Sequence, residues 1–227
     1  MRHAMTRRSI VTAGIGLFLS GCSDTRLTAN FGPMFRNLGS AFSLALRGLP
    51  DATITPEYVA KLPYACIGAK IGRGQRSLLV LGRYEGEERH WISADRAVVV
   101  TRNGRVTRLF GVGSDLKETR DIEGDPVAAA TFNFDGRHSR SVDFAANNQF
   151  GIPVESTFEV LGRRTISILD TQHDTLAVVE HCSARTVRWN FENQFWLDFD
   201  SGYVWKSVQH FVPEREPIEI EIFKRDA

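Results

Sequence analysis

The chain has 227 residues, with 28 Lys and Arg against 27 Asp and Glu and a formal net charge of +1. A balance this even excludes a nucleic-acid binder or a polybasic membrane-surface protein, because both need clustered cations to replace counterions. Fifteen Phe, four Trp and four Tyr supply a sizeable core and favour sheet over helix.

The first element is a signal. Met1 to Arg8 carries Arg2, Arg7 and Arg8 with no acid, and Ser9 to Ser20 is apolar or small throughout. That is the charged and apolar layout of a secretory leader. A dozen residues fall short of the roughly 20 that a helix needs to cross a bilayer, so the leader is no permanent anchor. Leu19-Ser20-Gly21-Cys22 reads as a lipobox, which makes Cys22 the lipid-attachment residue. Its thiol takes a diacylglyceryl group and its freed amine an acyl chain such as palmitate, and several chains together hold where one does not. Ser23 after the cysteine favours sorting to the outer membrane, with the protein lipid-anchored and periplasm-facing. Thr6-Arg7-Arg8-Ser9-Ile10-Val11 fits a twin-arginine signal and an ordinary positive leader alike. The expected organisation is a signal peptide over 1–21, a tether over 22–30 and one β-rich periplasmic domain over 31–227. Loss of three arginines with the leader leaves 25 cations against 27 acids.

Met34, Leu38, Phe42 and Leu46 step by four and predict a helical face that Gly48 and Pro50 end. Thr55-Pro56-Glu57 starts a second helix, with Thr55 as cap and Pro56 in the first turn, and Pro63 stops it. From there the texture is β. Strands are expected over Ala65–Ile71, Ser77–Tyr84, Arg89–Ile92, Ala97–Thr101 and Arg105–Phe110, the last two joined at Asn103-Gly104. A second hairpin is expected at Asp135-Gly136, between Thr131–Phe134 and Arg137–Phe144. Further strands are expected over Thr157–Leu161, Thr165–Asp170, Thr175–Glu180, Thr186–Phe191, Gln194–Phe199, Tyr203–Val212 and Pro217–Lys224. In the last of these Ile218, Ile220 and Ile222 alternate with Glu219 and Glu221. Short strands with turns every 8 to 12 residues give a mainly β fold, an antiparallel sandwich or a partly open barrel with one or two short N-terminal helices.

Asp200-Ser201-Gly202 suits a three-residue hairpin loop with Gly202 left-handed. Trp196 and Trp205 lie on its two arms, placed to meet across the pair. Ser207 and Gln209 share a strand face with Tyr203, Trp205 and Phe211. Two readings stay open for this set. They are core groups satisfying backbone, or they form an aromatic and amide surface for glycan or a partner. Cys66 and Cys182 remain once Cys22 is lipidated, and an exported chain permits a disulfide between them or leaves two buried thiols.

Other chemistry is thin. Asp170, His173 and Asp174 read as a polar turn before they read as metal ligands, and no metal or other cofactor is expected. His181 and Cys182 are adjacent on a strand and so point to opposite faces. Glu192, Asp198 and Asp200 are the candidates for a glycosidase pair. Gly68-x-x-x-Gly72-x-Gly74 lacks the lysine of a phosphate loop.

Two stretches carry a resemblance. The first is Trp91-Ile92-Ser93-Ala94-Asp95 with Thr101 to Val106 and Gly111 to Leu116. The second is Asn193-Gln194-Phe195-Trp196-Leu197-Asp198 with Gly202, Val204, Ser207, Gln209, Pro213 and Lys224. With the lipobox and Leu62-Pro63-Tyr64-Ala65, this order resembles the YjbF/GfcB lipoproteins of group-four capsule and exopolysaccharide operons, over about Ile54 to Lys224. The resemblance implies an outer-membrane lipoprotein that assists polysaccharide export alongside an outer-membrane β-barrel and other export proteins. It brings no catalytic residue with it, and only Cys22 carries a defined role. The expected function is a non-enzymatic accessory, a scaffold or glycan-contacting factor. The alternatives are a polysaccharide-trimming enzyme and a carrier of lipid or lipid-linked sugar.

Overall fold

The structure, a computed structural model, describes residues 54–145 and 148–226. The signal peptide, Cys22, the tether and the expected helix at 33–46 lie outside the described residues. The chain enters through one short helix, α1 (Pro56–Lys61). Thr55 Oγ1 accepts from the Tyr58 amide, Pro56 occupies the first turn, and helical geometry is lost at Leu62, just before Pro63.

Twelve strands follow among the described residues: β1 (Cys66–Ile71), β2 (Ser77–Glu85), β3 (Glu88–Ser93), β4 (Val98–Arg102), β5 (Arg105–Phe110), β6 (Leu116–Arg120), β7 (His138–Phe144), β8 (Gln149–Ile168), β9 (Thr171–Ala184), β10 (Trp189–Asp198), β11 (Val204–Gln209) and β12 (Ile218–Lys224). Each pairs antiparallel with its chain neighbour, and β1 pairs with β12, so the sheet closes on itself. Of the two architectures expected, the barrel forms, and it closes completely. Closure removes the free edges that an open sheet must protect.

Side chains fill the interior. Trp91, Leu109, Phe144, Val154, Ile218 and Ile220 belong to one buried cluster, and Val178, Phe195, Leu197 and Val204 to a second. The wall outside is charged. Glu219 meets Lys70 at 3.5 Å, Arg76 at 2.7 Å and Lys206 at 3.3 Å, and Arg76 and Lys206 also hold Glu221. A barrel that spans a bilayer presents an apolar belt at this position. No helix among the described residues is long and apolar enough to cross a membrane.

The Asn103-Gly104 turn forms as expected, with positive φ at both residues (41° and 88°). Gly104 is needed twice over, since a Cβ there would lie 2.4 Å from that of Val204. The Asp135-Gly136 hairpin does not form. Thr131–Phe134 is irregular, and β7 pairs with β6 and β8 instead. β6, with the sequence Leu-Lys-Glu-Thr-Arg, has no apolar alternation to reveal it. Thr157–Leu161 and the first part of Thr165–Asp170 fuse into the 20-residue β8, which ends at Ile168, and the strand expected over Thr186–Phe191 is divided between a 3-10 turn (Arg185–Val187) and the start of β10 at Trp189.

Candidate functional site, a cationic groove at one mouth of the barrel

β8 and β9 run beyond the barrel as a long hairpin, with a register shift between Val160 and Gly162. Ile168, at the tip, is 3% exposed. The tip, α1, Trp205 and the end of β12 enclose a groove of about 400 Å³. Ile168, Thr171 and His173 form one wall, Val59 and Ala60 another, and Ile222, Lys224 and Arg225 the floor.

Trp205 enters this groove because of a bulge. Trp196 pairs with Lys206 while Leu197 pairs with Val204, which leaves Trp205 without an opposite residue. Its Nε1–H donates to Asp198 Oδ2 (3.1 Å), the His173 ring lies on it at 4.0 Å, and Tyr203 meets it edge-on at 5.2 Å. Burial pushes the Tyr203 hydroxyl up to about 12 and lowers His173, which Asp198 opposes. Burial would also raise Asp198, but hydrogen bonds from Ser201, Trp205 and nearby backbone outweigh it and hold the carboxyl low. Gly202 is left-handed as expected, at φ +70°, but the connection is longer than the expected three residues, because β10 ends at Asp198 and β11 begins at Val204.

The expected aromatic and amide set is divided among three places. Tyr203 and Trp205 stand at the mouth. Trp196 lies on the outer wall with the Lys206 ammonium 5.7 Å from its ring, so the two tryptophans do not meet across the hairpin as expected. Ser207 and Gln209 are 1% and 2% exposed and serve the core. Gln209 accepts from the Val106 amide (3.1 Å) and donates to Gly104 O (2.7 Å) and Ser207 Oγ (2.9 Å).

Of the two readings left open for Cys66 and Cys182, the pair of buried thiols is the one found, and no bridge joins them. The two strands stand four apart along the wall, at ~4.8 Å per strand, against a Cα separation of about 7 Å at most for a disulfide. Cys182 joins the interior cluster. Cys66 points the other way, since its neighbours Ala65 and Ile67 face inward. Burial pushes both thiols up to about 12.

The remaining candidates stay apart. His181 faces outward between Glu192 (3.0 Å) and Glu159 (3.2 Å), opposite to Cys182 as the alternation requires. Asp174 accepts from Thr165 Oγ1, while His173 stacks on Trp205, and no group of three metal-ligating side chains occurs among the described residues. Glu192 and Asp198 are six residues apart on one face of β10, roughly 20 Å at strand rise. Glycosidase pairs need about 5 to 9.5 Å.

One constellation escaped the sequence reading. Glu180 is 0% exposed inside the barrel, with Arg105 Nη1 (2.8 Å) and Asn193 Nδ2 (2.8 Å) on one oxygen and Arg140 Nη1 (2.5 Å) on the other. Arg105 Nε also lies 2.7 Å from Asp125. Burial alone would raise Glu180, but the two guanidiniums outweigh it and keep the carboxyl far below its usual range. The signal was present in Val178-Val179-Glu180-His181-Cys182, where an acid takes a turn in an inward apolar alternation and so demands a cation.

Together these features define a closed antiparallel barrel with a filled, internally ion-paired core and a groove at one mouth. The chain belongs to the YjbF family, described as Group 4 capsule polysaccharide lipoprotein gfcB, YjbF, whose model matches residues 39–223. It is 27% identical over 219 residues to the uncharacterized lipoprotein GfcB of Escherichia coli (strain K12), covering 96% of this chain and 98% of that one. It is 24% identical over 212 residues to the uncharacterized lipoprotein YjbF of the same strain, covering 92% and 94%. The crystal structure of the hypothetical lipoprotein YmcC from Escherichia coli (K12) matches with a TM-score of 0.71 at 27% identity, over 78% of this chain and 92% of that one.

Proposed function

We propose that this protein is an outer-membrane lipoprotein, anchored through Cys22 and facing the periplasm, that serves as a non-enzymatic accessory in export or assembly of a capsule-type polysaccharide. It works with an outer-membrane β-barrel and other export proteins, and it contacts glycan at the groove. The observation that carries the non-enzymatic reading is the state of the buried carboxylates. Glu180 is bound to Arg105 and Arg140, Asp125 to Arg105, and Glu180 is held ionised, so it has no proton to give. The groove itself is lined by cations and apolar groups.

The test is capture of the lipidated protein from outer membranes, followed by mass spectrometry of its N-terminus and its companions. An acylated Cys22 with a co-purifying outer-membrane barrel is expected. Export should fail in Cys22→Ala and survive in Glu192→Gln and Asp200→Asn. Shortening of polymer by the purified protein would establish the enzyme alternative in its place.

A second reading rests on a separate pocket. At the opposite mouth, Ala69, Leu79, Val99, Leu109, Val112 and Ile218 line about 250 Å³. A carrier of lipid or lipid-linked sugar would use that space, and polyprenyl lipid co-purifying with the protein would favour it.

A further inference from the structure

Arg225 is the last cation of the chain, and its geometry is unusual for an exposed arginine. Its guanidinium carbon lies 4.2 Å from the Tyr203 ring centre and 5.5 Å from that of Trp205. It makes no hydrogen bond or ion pair with any described residue. A guanidinium stacked on a ring engages through its face, which leaves its N–H donors, arranged as a fork in its own plane, free. That fork matches a carboxylate in a bidentate pair.

The neighbouring residue fixes it in place. Asp226 accepts from the Tyr84 hydroxyl and from Arg89, whose Nε and Nη2 both lie 3.2 Å away. The tail is therefore tied on one side by Asp226 and packed on the other by Arg225. Lys224 completes the set. Its ammonium donates to Leu62 O at 2.5 Å and has no carboxylate partner within ion-pair distance among the described residues. Among the described residues no Asp or Glu lines the groove, although the chain as a whole is close to neutral. Ile222, Ile168 and Trp205 give it an apolar floor and wall, the surface that the C–H face of a sugar ring needs.

We infer that the groove binds an acidic saccharide, with Arg225 and Lys224 taking the sugar carboxylate while Trp205 and Ile222 carry the ring. This assignment rests on the proposed glycan-contacting role and names the class of glycan. The anionic group identifies the residue to be held, and the apolar wall distinguishes a sugar from a bare anion.

The experiment uses the lipidated full chain in detergent micelles, titrated calorimetrically with oligogalacturonate and with its methyl ester, which keeps the backbone and removes the charge. Saturable binding of the acid, weaker at higher salt and lost on esterification, is expected. Arg225→Gln should weaken it by about tenfold or more, since a charge-assisted pair is lost while no hydrogen bond of the fold is touched. Ala60→Glu, an exposed helix position on the groove wall, should weaken it too by setting a like charge against the ligand. Equal binding of acid and ester overturns the acidic class while leaving glycan contact standing. Binding of neither overturns glycan contact as well, and leaves the scaffold role to the capture experiment. Acid binding that both variants leave unchanged removes the groove as the site.

Discussion

Glu180 is fully buried, and its two oxygens are divided among Arg105, Arg140 and Asn193. Truncating one partner of such a cluster leaves the others buried and uncompensated, at a cost of about 3–5 kcal/mol. Glu180→Ala should therefore lower the urea midpoint sharply with an unchanged slope. A shift no larger than that of a surface Glu→Ala control would contradict this. The same carboxyl sets a pH dependence. Its folded pKa lies below its unfolded value of about 4.3, so its contribution is complete above about pH 5 and is lost as pH falls. Glu219 and Asp226 shift in the same direction, because cations and hydrogen bonds outweigh their burial. Urea midpoints measured from pH 7 down to pH 3 should decline, and a level profile would count against the network. The thiols give a third check at this scale. With Cys66 and Cys182 buried and pushed up to about 12, neither should react with a thiol reagent at pH 8 until the protein unfolds, and unreduced unfolded protein should then take up label at both. Absence of label at Cys66 and Cys182 in unfolded, unreduced protein would restore the bridge.

Among the elements, β5 is weakly held on one side, since it pairs with β6 at a single position, Leu109 with Leu116. The Gln209 side chain makes up the difference. Its amide meets the Val106 N–H and Gly104 C=O as a neighbouring strand would. Gln209→Leu is close in volume but leaves both groups unpaired, and should cost about 1–3 kcal/mol for each in chemical denaturation. Gly104→Ala should also destabilise, by about 1–3 kcal/mol from strain alone, with the clash against Val204 adding to it. These effects separate what the sequence discloses from what it conceals. Local signals were readable: the Thr55-Pro56-Glu57 start, the Asn103-Gly104 and Asp200-Ser201-Gly202 turns, and the alternation of β12. The buried polar pair was readable only as two alternatives, because period 2 puts Ser207 and Gln209 on one face without saying whether that face is wet. The bulge that frees Trp205 shifts the phase of β11 by one residue and has no marker in sequence. The Asp135-Gly136 signal misled because a turn dipeptide specifies a bend and not the strands to either side of it.

At the scale of the molecule, closure decides what the groove is made of. Pairing β1 with β12 brings Pro56 and Val59 beside Lys224 and Arg225, residues from opposite ends of the chain. No local pattern announces that meeting, so the aromatic half of the site was visible beforehand and the cationic half was not. Shortening the β8–β9 hairpin to a tight turn at Arg164–Asp174 should keep the β-sheet circular dichroism, because that stretch pairs only with itself, and should abolish glycan binding by removing Ile168 and His173. Retained binding would move the site away from the hairpin tip. Closure also has a mechanical side. The chain enters the barrel at β1, and that strand is hydrogen-bonded along both edges, to β12 and to β2. A pull arriving from the N-terminal side along β1 therefore has to slide it past two ladders at once, where a strand at the margin of an open sheet would peel away bond by bond. A domain tethered from that side would hold its shape under load and transmit the load to whatever it grips.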